Sequence, residues 1–149
     1  MDKTFIIAEA GVNHNGDISL AEKLIVAAKE AGADAVKFQT FKADALVTKQ
    51  ALKAEYQASS AGNTQYELLK SLELSYADFS RLDAFAKGLG IQFLSSPFDL
   101  ESVEFLNEIG MALYKIPSGE MTNFPLLKAI SATGKKVLMS TGMCMIEDI

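Results

Sequence analysis

The sequence predicts an α/β fold built on parallel strands, and three observations predict it. Short apolar runs alternate with amphipathic helical stretches along all 149 residues, the order expected of strand–helix–strand units around a parallel sheet. Glycine closes most of the helical stretches, as at Gly32, Gly90, Gly110 and Gly134, where a left-handed cap suits it. Three apolar runs also break off abruptly in polar side chains: Phe5-Ile-Ile-Ala-Glu-Ala-Gly-Val-Asn-His-Asn-Gly16, Val36-Lys-Phe-Gln-Thr40 and Tyr114-Lys-Ile-Pro-Ser-Gly-Glu120. A buried strand whose C-terminal tip carries chemistry is how α/β enzymes present a site.

The first strand is expected over residues 5–8. A helix then starts at Ser19, with Glu22 completing a capping box, and Leu20, Leu24, Ile25, Ala28 and Ala31 recur at helical spacing. The second strand covers 35–39. A polar stretch from Thr40 to about Gln65 follows, holding Lys42, Lys49 and Lys53, which read as a solvated loop, and the turn-rich run Ser59-Ser-Ala-Gly-Asn63. So long a connection in a compact domain points to an active-site or disordered loop.

Beyond it, helices are expected over 66–71 and 76–87, the second with Phe79, Leu82, Phe85 and Ala86 on one face. Residues 91–94 form the third strand, tipped by Ser95-Ser-Pro-Phe98. A helix carrying Val103, Leu106 and Ile109 leads to the fourth strand at 113–116, and one carrying Leu126, Leu127 and Ile130 to the fifth at 137–139. Another helix begins near Ile146. Five strands with helical crossovers fit an open doubly wound sheet, or the first part of a TIM (β/α)8 barrel. No Gly-x-Gly-x-x-Gly run follows the first strand, so a dinucleotide site loses its usual support. A complete barrel takes about 250 residues, so in the barrel case the chain is a partial barrel with free edges at its first and fifth strands, open to association.

Composition narrows the function classes. A 49% hydrophobic content is globular, and a net charge of -5 argues against a broad nucleic-acid surface. The lone Cys144 permits no internal disulfide and reads as a packing residue in a reducing compartment. No apolar run reaches the roughly 18 residues that span a bilayer, so a cytoplasmic protein without membrane contact is expected.

The polar strand tips collect Glu9, Asn13 and His14; Lys37 and Gln39; Ser95 and Ser96; Lys115, Ser118 and Glu120; Ser140 and Thr141. A lysine inside a parallel strand is expensive to bury, and Lys37 and Lys115 both lie there, which suggests a small multiply charged anion in a partly dry site. Ser118-Gly119 and Ser140-Thr-Gly142 add hydroxyls and backbone amides suited to phosphate. Glu120 is the nearest carboxylate for proton transfer. His14 reads either as a turn residue or as a metal ligand, and no His or Cys pair at ligand spacing accompanies it.

At these motifs the chain resembles the sialic acid synthase family, the bacterial N-acetylneuraminate synthases and their legionaminic and pseudaminic acid relatives. The segments Ile7-Ala-Glu-Ala-Gly-Val-Asn-His-Asn-Gly16, Val36-Lys-Phe-Gln-Thr40, Lys115-Ile-Pro-Ser-Gly-Glu120 and Ser140-Thr-Gly-Met143 match in order and spacing. The resemblance implies a TIM barrel, here only its first five strands or so. It implies condensation of phosphoenolpyruvate with an N-acetylated amino sugar, N-acetylmannosamine or a 2,4-diacetamido-6-deoxy relative, with release of phosphate. Lys37, Ser96 and Lys115 would hold the phosphoenolpyruvate carboxylate region, Ser118 and Ser140 its phosphate, and Gln39 the sugar. Glu120 would serve the proton transfers or the metal-bound water; Glu9 and the loop residue Asn63 join the substrate contacts.

The resemblance further implies a divalent metal, Mn2+ or Mg2+, whose ligands lie beyond residue 149, a C-terminal antifreeze-like domain, and a homodimer for the full-length enzyme. The isolated chain is then expected to be inactive. A related phosphoenolpyruvate-dependent keto-sugar-acid synthase, and a non-catalytic half barrel binding phosphorylated ligands, are the competing readings.

Overall fold

The computed structural model describes residues 3–53 and 64–149. Five parallel strands alternate with helices: β1 (Ile7–Gly11), β2 (Ala35–Thr40), β3 (Gln92–Pro97), β4 (Leu113–Ile116) and β5 (Lys136–Met139). The helices are α1 (Ile18–Glu30), α2 (Ala43–Leu46), α3 (Gln65–Leu72), α4 (Tyr76–Leu89), α5 (Leu100–Glu108) and α6 (Phe124–Ala132). The four-residue α2 lies inside the stretch read as loop. A 3-10 turn, Ile146–Asp148, stands where another helix was expected.

β1, β2 and β3 form one parallel ladder in that order, and β4 and β5 form a second. β4 runs beside β3, with Cα atoms within 8 Å, but no ladder joins them. Among the described residues β1 pairs only with β2 and β5 only with β4, the two free edges that the partial-barrel reading expects. Successive strand residues face opposite ways. Val36 and Phe38 of β2, Phe93 of β3, and Tyr114 and Ile116 of β4 enter the main core beneath the helices. There they meet Ile25 of α1, Phe79 and Leu82 of α4, Leu106 of α5, and Leu126 and Ile130 of α6.

Local signals explain most element ends. α4 starts in a full capping box between Ser75 and Asp78 and stops at Gly90, whose φ of 67° is left-handed. α1 departs from the expected start. Asp17, not Ser19, caps it by accepting from the Ser19 and Leu20 amides, and Glu22 instead pairs with Arg81 of α4 at 2.8 Å. A carboxylate two residues earlier satisfies the free amides of the first turn directly, which leaves Glu22 free for a helix–helix contact.

Lys42 also departs from expectation. It pairs with Glu73 at 3.6 Å and stands 4.0 Å over the Tyr76 ring, so it fastens the start of α2 against α4.

Candidate anion site at the strand tips

Side-chain alternation along β2 and β3 decides which polar residues share a surface. Glu9 is in register with Lys37, and Gln39 with Ser96; in parallel neighbours these side chains project from the same face. That face lies opposite the one carrying Val36 and Phe38 into the core. Ser95 is therefore separated from Ser96. It projects toward the helix layer, where its hydroxyl bonds the Thr40 hydroxyl at 2.7 Å and locks the ends of β2 and β3 together. Ser95 and Ser96 are both buried strand residues rather than an exposed tip, because β3 extends to Pro97.

The Lys37 ammonium touches the Glu9 carboxylate at 2.5 Å, and the Lys37 side chain is 10% exposed against 55% for Glu9. Gly11 makes room for this pair. Its φ is +54°, and a Cβ there would lie 3.3 Å from Glu9 Oε1 and 3.8 Å from Gln39 Nε2. The register of β1 against β2 shifts between Glu9 and Gly11, which turns the strand end at this point.

Lys115 arrives from β4. Its ammonium donates to the carbonyl of Ile116 at 2.9 Å, and no carboxylate bonds it among the described residues. Burial, and next the positive charge of Lys37, hold Lys115 below the ordinary lysine value of 10.5, with Glu9 pulling the other way. Lys37, Lys115 and Glu9 thus share one electrostatic neighbourhood with one positive charge in excess. Among the described residues the buried Ser96 hydroxyl has no hydrogen-bond partner, so it is available to a polar group entering the site.

The β4 and β5 ends come together as expected. The Ser140 amide donates to the Ile116 carbonyl at 3.0 Å, the same oxygen that holds Lys115. Gly142 passes Ser118 closely enough that a Cβ there would lie 3.6 Å from Ser118 Oγ. Ser118, Gly119, Gly142 and Met143 line a shallow cleft. Glu120, in the 3-10 turn Ser118–Glu120, accepts from the Asn123 amide at 2.7 Å, while Asn123 caps α6.

His14 stands apart. It is 1% exposed, its Nδ1 accepts from the Gly16 amide at 3.1 Å, and its ring lies 6.1 Å from that of Phe38, on the core side of β2. The Gly16 contact fits the turn reading, while Nε2, like the Ser96 hydroxyl, is buried without a hydrogen-bond partner among the described residues. Asn13 and Thr141 are exposed, and Asn63 lies outside the described residues. Among the described residues no group of three His, Cys, Asp or Glu side chains is placed to hold a metal ion. The divalent ion that the resemblance implies finds no such ligand set among the described residues.

The sequence reading missed Gly11 as the residue that admits the Glu9–Lys37 pair, and Asn123 as the partner of Glu120. A glycine two residues after a strand-end acid, and an asparagine three residues after Glu120, were the available signals.

Comparison with known proteins adds two kinds of finding. A NeuB family model matches residues 24–149. N,N'-diacetyllegionaminic acid synthase of Legionella pneumophila is 55% identical over 147 residues, covering 97% of this chain and 41% of that protein. The enzyme of the same name from Campylobacter jejuni is 52% identical, covering 100% of this chain and 45% of that protein. The chain thus spans less than half the length of these curated relatives. The crystal structure of N-acetylneuraminic acid (sialic acid) synthetase from Leptospira borgpetersenii, in complex with citrate, superposes with a TM-score of 0.83 at 32% identity. It covers 99% of this chain and 48% of that one.

Proposed function

The chain belongs to the NeuB family, and on that premise we propose that it forms the N-terminal part of the TIM barrel of a nonulosonic acid synthase. The reaction joins phosphoenolpyruvate to an N-acetylated amino sugar, N-acetylmannosamine or a 2,4-diacetamido-6-deoxy sugar, and releases phosphate. The observation that carries this reading is the pair of strand-borne lysines, one lacking a carboxylate partner, beside the orphaned Ser96 hydroxyl. Such a constellation suits a small anion of high charge in a site of lowered dielectric. The names of the relatives favour a legionaminic or sialic product. The Leptospira relative is in complex with citrate, itself a multiply charged carboxylate.

In this reading Lys37, Ser96 and Lys115 hold the carboxylate end of phosphoenolpyruvate. Ser118 and Ser140 face its phosphate from the joined ends of β4 and β5. Gln39 and Glu9 meet the sugar, and Asn63 adds a loop contact. The enol carbon forms the new bond to the sugar carbonyl carbon, whose oxygen gains a proton; water adds to the carbon that bears the phosphate, and inorganic phosphate leaves as that C–O bond breaks. Glu120 handles proton transfer, with Asn123 fixing its carboxylate. A divalent ion, Mn2+ or Mg2+, would polarise the sugar carbonyl, held by residues outside this chain. The complete enzyme is a cytoplasmic homodimer in this account, and the 149-residue chain alone does not turn over. No helix among the described residues is long and apolar enough to cross a membrane.

The test is phosphate release by the natural gene product purified from its source. It is assayed with phosphoenolpyruvate and, in turn, an N-acetylated amino sugar or arabinose 5-phosphate. Release with the amino sugar supports the reading; release with arabinose 5-phosphate alone, or with neither, overturns it.

A further inference from the structure

We propose that Glu9 is a built-in counter-ion of the anion site, occupying Lys37 in the free protein and yielding it when an anionic ligand binds. The inference rests on the anion site of the proposed function and adds a role that the substrate contacts alone do not imply.

Three observations carry it. First, Lys37 is in a parallel strand with its side chain only 10% exposed, and Glu9 is the carboxylate that neutralises it, at 2.5 Å. Second, the two partners are unequally held. The Glu9 side chain is 55% exposed, whereas the Lys37 side chain is 10% exposed on β2, which is paired with both β1 and β3. When the pair separates, Glu9 is the member free to move into water with little desolvation cost. Third, glycine at position 11 avoids a Cβ that would crowd Glu9 Oε1 at 3.3 Å and lie 3.8 Å from Gln39 Nε2. A carboxylate released from Lys37 has a neutral donor within reach of a side-chain rotation.

An anion that approaches Lys37 from solvent therefore meets the Glu9 carboxylate at the mouth of the site. If Glu9 stayed in place, two negative charges would crowd one buried ammonium, with Lys115 the remaining cation. Like charges a few ångströms apart at the rim of a protein repel each other, though solvent screens them. Displacement of Glu9 is the lower-energy course. Its consequence is a site held below its intrinsic anion affinity. The exchange is one carboxylate for another, so no proton is gained or lost by the pair itself.

The experiment is calorimetric titration of phosphoenolpyruvate, and separately of inorganic phosphate, into the natural gene product and into its Glu9→Gln variant, with far-UV circular dichroism as the fold control. The expected result is binding by the wild type and binding about tenfold tighter by the variant, the size set by one removed charge near the rim. Equal or weaker binding by Glu9→Gln, with the wild type still binding, overturns the counter-ion role and leaves the anion site standing. Absence of binding by both overturns the site and the inference together. A measurement on the wild type alone guards against a misfolded variant: the side-chain carboxyl 13C resonance of Glu9 shifts on saturation with phosphoenolpyruvate. A resonance unmoved at saturation contradicts the displacement.

Discussion

Lys115 and Ser140 meet through one backbone oxygen. The Ile116 carbonyl accepts from the Lys115 ammonium at 2.9 Å and from the Ser140 amide at 3.0 Å, so the ladder that joins β4 to β5 also fixes the lysine head. Lys115 is thereby held where burial, and next the charge of Lys37, depress its proton affinity.

The depressed affinity gives a signed pH prediction. The folded chain releases the Lys115 proton more readily than the unfolded chain, whose value is near 10.5. Stability from this group accordingly rises with pH up to that value and is reduced below the lowered folded one. A bound anion favours the charged form. Calorimetry of phosphoenolpyruvate binding between the lowered folded value and 10.5, in buffers of different ionisation enthalpy, is expected to show proton uptake, and Lys115→Met to show none.

Ser96 gives a prediction in which stability and binding part company. Its hydroxyl is buried without a partner, so its removal relieves an unsatisfied group. Ser96→Ala is expected to leave the thermal midpoint unchanged or raised and to weaken phosphoenolpyruvate binding severalfold. A lowered midpoint with unchanged binding would return Ser96 to a purely structural role.

Gly16 tests the turn that ends the first motif. Its φ is +77°, and a Cβ there would run into the backbone carbonyl of Ser71, at the end of α3. Gly16→Ala is expected to cost more than about 2 kcal/mol in denaturant unfolding, since left-handed strain alone costs 1–2. Gly134→Ala, at φ +66° with open space around it, should cost only that strain.

His14 predicts a pH-dependent loss of stability at the acidic end. Burial lowers its value from the ordinary 6.5, so the unfolded chain takes up this proton first as pH falls. The stability present above 6.5 is lost progressively below it, until the folded value is passed. Protonation also ends the Gly16 amide bond to Nδ1. The difference in urea midpoint between wild type and His14→Gln should shrink as pH drops from neutral toward 5.

Much of this arrangement was legible in the chain. Periodicity placed all five strands, and the fourth, Leu113–Ile116, agreed to the residue. Lysines interrupting apolar strands marked the candidate site, because a buried charge needs a reason. Pairwise geometry was not legible. Asp17 and Ser19 are both good caps by composition, and only the path of the backbone selects Asp17. Ser95 and Ser96 are identical in type, and the pleat sends one to Thr40 and the other to the site face. Glu9 as the partner of Lys37 required the register of β1 against β2, which no single-strand pattern encodes.

The central claim is that Lys37 and Lys115 together hold one small anion. The measurement that reaches it most directly is calorimetric titration of phosphoenolpyruvate into the wild-type chain and into Lys37→Met and Lys115→Met. The account predicts saturable binding by the wild type, competed by inorganic phosphate and weakened at least about tenfold in each variant. No saturable binding by the wild type, or binding unchanged in both variants, would contradict it.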